Sequence, residues 1–168
     1  MATTYEKIAT TTLGAGANSI NFTSIGSGYT DLRLTFTGKS QPTNTRFPAV
    51  QFNSDSSALY SDTRLQGNGS AASSSANTGF TYIPLSDDGM DDTTPVFYTI
   101  DIFSYAGSTF KTCLITSSED KNGSGRVVNR VGLYRSTSAI TAVNLIGASG
   151  TGIFGTGCVA TLYGILKA

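Results

Sequence analysis

The amino-acid sequence predicts an all-β protein: a single-domain antiparallel β-sandwich, jelly-roll-like, with nine or ten strands and long loops rich in glycine and serine. Apolar and small polar residues alternate with a period of two along most of the chain, which is the spacing of strands with one buried face. Serine and threonine supply 46 of the 168 residues and glycine supplies 19, as is typical of short strands joined by tight polar turns. No segment has the helical period over the length that a βαβ crossover needs, so a parallel α/β sheet is excluded. We expect one domain over residues 1–168.

In the first half of the chain, the alternation predicts strands at residues 5–13, 18–24, 32–37 and 47–53. The third of these is the clearest, because Leu32, Leu34 and Phe36 alternate with polar residues. Residues 58–65 fit either a short helix or an irregular strand, since their apolar spacing does not decide between the two. Residues 66–79 consist almost entirely of glycine, serine, alanine and asparagine, which predicts a long flexible loop.

The second half is more regular and predicts strands at residues 80–85, 96–104, 109–117, 126–135, 140–146 and 158–166. Residues 121–125 contain an Asn-Gly pair, the strongest short signal for a hairpin turn. Residues 147–157 form a second glycine-rich loop. The final segment is apolar on both faces, so we expect a central strand there.

The absence of histidine removes the commonest general base and metal ligand from the chain. No Gly-x-Ser-x-Gly turn is present to expose a nucleophile, and we expect neither enzymatic activity nor a cofactor. Eleven basic residues balance eleven acidic ones, so there is no charge excess to attract nucleic acid. No apolar run approaches the length of a membrane span, and the first residues lack the pattern of a signal peptide.

The sharpest candidate for a metal site is an acidic turn that contains Asp87, Asp88, Asp91 and Asp92 around Gly89. Four carboxylates within six residues offer the oxygen ligands that calcium takes, although their spacing is not that of an EF-hand loop. The alternative is a solvated turn with no ligand. A glycosidase pair on this turn, with Asp87 and Asp91 as the residues to test, is the least favoured alternative, because adjacent hydrophilic aspartates provide no contrast between an acid and a base.

Two further side-chain types are candidates for chemistry or binding. Cys113 and Cys158 both fall inside apolar strand patterns, which predicts buried free thiols, with a disulfide as the alternative. Tyrosines in or beside loops can stack on sugars, although rings packed at strand ends are the plainer interpretation; these are Tyr29, Tyr60, Tyr82 and Tyr134.

Four apolar residues are candidates for a protein interface. Phe97 and Phe103 occupy the second face of a strand whose other face is also apolar. Ile153 and Phe154 form an apolar pair that looks exposed in the second glycine-rich loop. Exposed apolar surface of this kind marks interfaces, and contact with the protein's own core is the alternative.

Five short segments carry a resemblance to a known group of proteins: TTYEKI at residues 3–8, INFTSI at 20–25, YTDL at 29–32, LQGNGS at 65–70 and TLYGI at 161–165. Together they resemble small all-β virion structural proteins of tailed phages, especially phages of cyanobacteria and other aquatic bacteria. The resemblance covers nearly the whole chain, and its motifs are turn and core residues.

The resemblance implies a capsid decoration (cement) protein that binds the major capsid protein on the outer surface of the shell. It also implies self-association as a homotrimer, synthesis in the host cytoplasm and a final location in the virion. The alternative that it leaves open is a short tail fibre or receptor-binding adhesion module that recognises a host-surface glycan. The chain has neither the coiled coil nor the repeats of a fibre stem, which favours decoration.

Overall fold

Two antiparallel β-sheets pack face to face in the structure, which is a computed structural model that describes residues 4–42, 47–148 and 153–166. Within these ranges there are twelve strands and no helix, so the predicted β-sandwich is confirmed with more strands than the nine or ten expected. The strands are β1 Tyr5–Thr12, β2 Ser19–Phe22, β3 Asp31–Gly38, β4 Pro48–Phe52, β5 Tyr60–Gly67, β6 Ala72–Phe80, β7 Ile83–Pro84, β8 Val96–Phe103, β9 Lys111–Asp120, β10 Gly125–Tyr134, β11 Val143–Gly147 and β12 Val159–Ile165.

The two sheets are unequal in size. The larger has eight strands in the order β1-β12-β3-β8-β9-β10-β5-β6, and the smaller has four in the order β2-β11-β4-β7. Alternate residues of β3 and β8 are buried, as their period-two pattern predicts. Between the sheets lies a continuous apolar core that includes Leu34, Ile100, Ile115, Val50 and Leu145, all fully buried. The smaller sheet therefore covers only part of the inner face of the larger one.

Close approach of the sheets depends on Gly132 of β10. A Cβ atom at this position would lie 2.6 Å from Cδ1 of Ile83 and 2.8 Å from Sγ of Cys113. Both distances are shorter than atoms tolerate, so the absence of a side chain lets β7 approach the large sheet.

The segment predicted as a long loop at residues 66–79 is instead part of a hairpin, and that prediction is wrong. β5 and β6 pair without interruption from Gly67 opposite Ala72 to Ser61 opposite Thr78. Residues 60–65 of the ambiguous segment at 58–65 belong to β5, so this part is a strand and not a helix. Low hydrophobicity misled the prediction, because both faces of β6 are polar and the backbone ladder forms without an apolar stripe.

The Asn-Gly hairpin is confirmed between β9 and β10. Asn122 and Gly123 both have positive φ angles, 59° and 87°, as a type I′ turn requires. The backbone N–H of Lys121 donates to the carbonyl oxygen of Ser124 at 3.2 Å.

The predicted central position of the last strand is also confirmed, because β12 lies between β1 and β3. Residues 149–152 of the second glycine-rich loop lie outside the described residues.

Candidate interaction face

The outward face of the large sheet carries most of the exposed large apolar side chains among the described residues. Alternate side chains of β8, β9 and β10 point away from the core and are exposed. Six of these outward positions on β5, β8, β9 and β10 are large apolar residues that are 39–59% exposed, and we call them the outer patch: Leu65, Phe97, Phe103, Leu114, Val127 and Val131.

Strand register brings the outer patch together. Leu114 lies directly opposite Val131, and Leu65 lies opposite Asn129, between the two exposed valines of β10. Phe97 and Val127 flank Ser118 in a single row across three strands. Cross-strand neighbours of this kind are about 5 Å apart, so the apolar side chains and the small polar ones between them form one surface.

The charges nearest the outer patch form an ion pair, in which Asp101 of β8 lies directly opposite Leu114. Arg33 of β3 donates to both carboxylate oxygens of Asp101 on β8, from Nε at 2.5 Å and from Nη2 at 2.8 Å. The guanidinium of Arg33 also lies 5.5 Å from the centre of the Tyr5 ring. A partner that covers the outer patch therefore meets the charge of Asp101 already paired with Arg33.

Phe97 and Phe103 are 48% and 43% exposed, which agrees with the sequence expectation for their position; their role in an interface stays a prediction. Sequence reasoning missed the other four members of the outer patch. A signal was present, because Leu114 and Val131 occupy positions that alternate with the buried face of their own strands.

The expectation for the other apolar pair is wrong. Ile153 and Phe154 are fully buried, so they are core residues and not part of an exposed interface. The N–H groups of Ala17 and Phe154 each donate to the other residue's carbonyl oxygen, at 2.9 and 3.0 Å. The Phe154 ring packs edge-on against Phe36 with 5.4 Å between ring centres. The chain thus re-enters the core after the loop, as the alternative interpretation had it.

The acidic turn docks against a row of arginines on the inner face of the large sheet. Arg130 of β10 lies directly opposite Arg64 of β5, and two guanidinium groups this close require carboxylates between them. Asp87 supplies one by accepting from Nη2 of Arg130 at 2.9 and 3.0 Å and by pairing with Arg64. The buried Asp62 pairs with Nη1 of Arg130.

The first two aspartates of the turn are therefore neither free in solvent nor available as calcium ligands. Asp88 pairs with Nε of Arg126 at 2.7 Å, so both of the first two aspartates serve as arginine partners. No group of three or more potential metal ligands converges in the part of the chain that the structure describes. Asp92 is exposed, and Asp91 organises its own turn.

Asp91 accepts three hydrogen bonds at Oδ1: from the N–H and hydroxyl of Thr93 at 2.9 and 3.0 Å and from the N–H of Thr94 at 2.8 Å. Burial opposes ionisation, but these bonds and the ammonium of Lys121 together lower the pKa of Asp91 to about 2. The folded state therefore favours the ionised carboxylate more than the unfolded state does. Its stabilising contribution is present above the ordinary pKa of 3.8 and is lost as the pH falls towards 2.

We expect Asp91→Asn to lower the free energy of unfolding by about 1 kcal/mol at pH 7, because the amide oxygen accepts the same bonds without the charge. At pH 2, where about half of the Asp91 carboxylates are protonated, the difference from the wild type should be much smaller. Urea denaturation at both pH values measures it, with Asp92→Asn, at an exposed neighbour, as the control. If Asp91→Asn lowers the free energy of unfolding equally at pH 2 and pH 7, the charge of Asp91 does not contribute to stability.

The two cysteines are free and buried, as predicted, and no disulfide joins them. Burial raises the pKa of the Cys113 thiol to about 12, which leaves almost no reactive thiolate at neutral pH. Burial also raises the pKa of Cys158, whose thiol donates to the carbonyl oxygen of Lys39 at 3.2 Å. Both thiols serve as core side chains.

The tyrosines singled out from the sequence do not assemble into a sugar platform. Tyr60 and Tyr134 are buried and stacked, with ring centres 4.7 Å apart, and burial raises the pKa of both. Tyr82 stacks on Phe80 with ring centres 5.9 Å apart. Tyr29 packs over Gly164, where an added Cβ atom would lie 2.3 Å from its ring.

A polar cavity of about 560 Å³ lies at the end of the sandwich next to the β9–β10 turn. Its walls carry hydrogen-bonding groups and no aromatic ring; they comprise Asn68, Ser70, Asp88, Glu119, Lys121, Gly123, Ser124, Gly125 and Arg126. Burial raises the pKa of Glu119, although the ammonium of Lys121, 3.6 Å away, opposes the shift. The cavity offers hydrogen-bonding groups to a sugar but no aromatic ring on which the sugar could stack. The outer patch is therefore the stronger candidate for an interaction site.

Among the described residues, no helix is long and apolar enough to cross a membrane. No protein-family model and no curated protein sequence matches this chain.

Proposed function

We propose that this chain is a phage virion structural protein that decorates the capsid: it binds the outer surface of the major capsid protein lattice and stabilises the shell. Two observations support the proposal. The sequence resembles small virion proteins of tailed phages over nearly its whole length, and the outer patch is an exposed apolar surface whose neighbouring charge, Asp101, is paired with Arg33. The outer patch is the observation that carries the proposal, because a flat apolar face fits another protein surface better than a small molecule.

The size of the outer patch sets the strength of a single contact. Four strands at about 4.8 Å spacing and about seven residues of 3.4 Å each give a footprint of roughly 450 Å². A stable protein–protein interface takes about 800 Å² from each partner, so one patch makes a weak contact. A shell offers many identical sites, and linked copies that each bind weakly are retained by avidity.

The mechanism under this proposal is mechanical. Each bound copy adds buried area where capsid subunits meet, and the added contacts must break before the subunits separate. The six side chains of the outer patch are apolar and the neighbouring Asp101 is paired with Arg33, so attraction to the lattice comes mainly from apolar burial, which salt does not screen. The arginine–aspartate cluster keeps the sheet in shape from the opposite side and need not touch the capsid.

Binding to capsids that lack this protein tests the proposal. We expect Leu65→Lys combined with Val131→Lys to weaken binding by at least about tenfold, because it buries two charges in the contact at positions with no acidic cross-strand neighbour. The control is Ser56→Lys combined with Thr137→Lys, which adds the same charge at exposed positions outside the patch. Co-sedimentation with the capsids measures the bound fraction.

If the patch variant binds the capsids as well as the wild type does, the assignment of this face is overturned. The copy number gives a second criterion, since decoration of a lattice requires hundreds of copies per particle and fewer than about twenty would exclude it. Imaging of labelled particles separates the alternative: a label on the tail would favour an adhesion module.

A further inference from the structure

The edges of the two sheets differ in how well they are protected against pairing with another strand. An edge strand exposes unpaired N–H and C=O groups. Proteins prevent another strand from pairing there by means of charged side chains, proline, bulges or a short edge strand. The edge strand β1 carries Glu6 and Lys7 and has a bulge between Lys7 and Ala9. In the small sheet, β2 has four residues, and β7 has two, one of which is Pro84.

The remaining edge, β6, has none of these devices along most of its length. Its sequence, ASSSANTGF, contains no charged residue and no proline over nine residues. The register shift against β5 falls at Gly79, near the end of the strand, and residues 72–78 run straight. Most of its residues are exposed. β6 therefore offers a long template for another strand, and the opposite edge of the same sheet does not.

We propose that β6 pairs with β6 of a second copy of this chain, antiparallel across a two-fold axis, so that two eight-stranded sheets join into one of sixteen strands. A two-fold contact brings the same surface of both copies together, so the surface must be complementary to itself. β6 meets this requirement, because an uncharged strand places no like charges opposite each other.

Small side chains make the pairing sterically simple. With the axis at Ser75, Ser74 lies opposite Ala76 of the second copy, and Ala72 lies opposite Thr78 of the second copy. Seven straight residues in each strand allow about six to eight inter-strand hydrogen bonds. These bonds use backbone groups of β6 that have no partner among the described residues.

The pairing also joins the outer patches of the two copies. The axis is perpendicular to the sheet, so both outward faces lie on the same side. Leu65 of the outer patch is on β5, the strand next to β6, and is 59% exposed. The joined sheet thus presents two outer patches to one surface. The pairing itself does not depend on the capsid role and can be measured on the purified chain.

Molar mass in solution tests the inference. We expect the purified wild-type protein to be a dimer at tens of micromolar, by light scattering and sedimentation. Ser74→Lys combined with Ala76→Lys places like charges across the axis and should raise the dissociation constant at least about tenfold. The matched control is Thr4→Lys combined with Thr12→Lys, which adds the same charge at the β1 edge and should leave the dimer intact.

The inference is overturned if the wild-type protein is a monomer or if it is the homotrimer that the resemblance implies. It is also overturned if both lysine variants dissociate equally. Circular dichroism checks that the variants are folded. A second measurement replaces Ser74 and Ala76 with cysteine, and oxidation should then link two chains. The native thiols do not interfere, because both are buried. Failure to form the linked dimer would overturn pairing through these strands. If the wild-type protein is a dimer but does not bind capsids, the result counts against the proposed function alone.

Discussion

Arg130→Met is expected to lower the free energy of unfolding by about 3–5 kcal/mol, because it leaves Asp62 as an unpaired charge in the interior. The side chains of Arg130 and Asp62 are both fully buried. Without the guanidinium, the remaining contact of the Asp62 carboxylate is a long 3.4 Å hydrogen bond from Nδ2 of Asn77. Asp87 retains Arg64 as a partner, so the loss centres on Asp62. Denaturant unfolding followed by circular dichroism measures the change.

The matched control is Arg33→Met, which removes the same side chain from the ion pair with Asp101 on the solvent-facing side of the sheet. The Arg33 side chain is 36% exposed, so its loss should cost less than about 1 kcal/mol. Combining Arg130→Met with Asp62→Leu should recover most of the loss, because no buried charge then remains unpaired. Equal costs for Arg130→Met and Arg33→Met would contradict the assigned role of the buried cluster.

Phe154→Ala is expected to destabilise the protein by about 3–5 kcal/mol, the range for a phenylalanine truncated inside a packed core. Its ring is fully buried and packs edge-on against Phe36, on which Tyr98 also stacks with ring centres 5.7 Å apart. Truncation would leave a cavity in this aromatic group. The shift in thermal or denaturant midpoint measures the effect.

Phe97→Ala serves as the comparison, because it removes the same ring from a position that is 48% exposed. Its cost should be less than about 1 kcal/mol, and its effect should appear in binding instead. The two variants therefore separate a core phenylalanine from a surface phenylalanine that sequence reasoning placed in one class. Similar destabilisation by both would contradict the assignment.

Period-two alternation identified the parts of the fold where one face is apolar. β3 and β8 were predicted because Leu34 and Ile100 alternate with polar neighbours, and both are buried in the core. The alternation did not identify β6, whose stability comes from backbone pairing with β5 and leaves no hydrophobic signature. Strands of this kind are visible only through the partner strand.

The candidate sites were harder to predict than the strands, because they depend on which elements meet across the sandwich. The sequence displays Asp87 and Asp88 as a hydrophilic run, and only the fold places Arg126 and Arg130 opposite them. For the same reason, the loop composition around Ile153 suggested exposure, although the chain turns inward there to pair with Ala17. Local composition reports solvent preference and does not report contacts between distant segments.

The position of β12 has a consequence for when the protein folds. β12 lies between β1 and β3, so these two early strands cannot take their final neighbours until residues near 165 have been synthesised. Contacts that join the two ends of a chain make folding slow, because a large loop must close before they form. Until β12 has been synthesised, β1 and β3 therefore lack the strand that lies between them. We expect the large sheet to be complete only after β12 has left the ribosome.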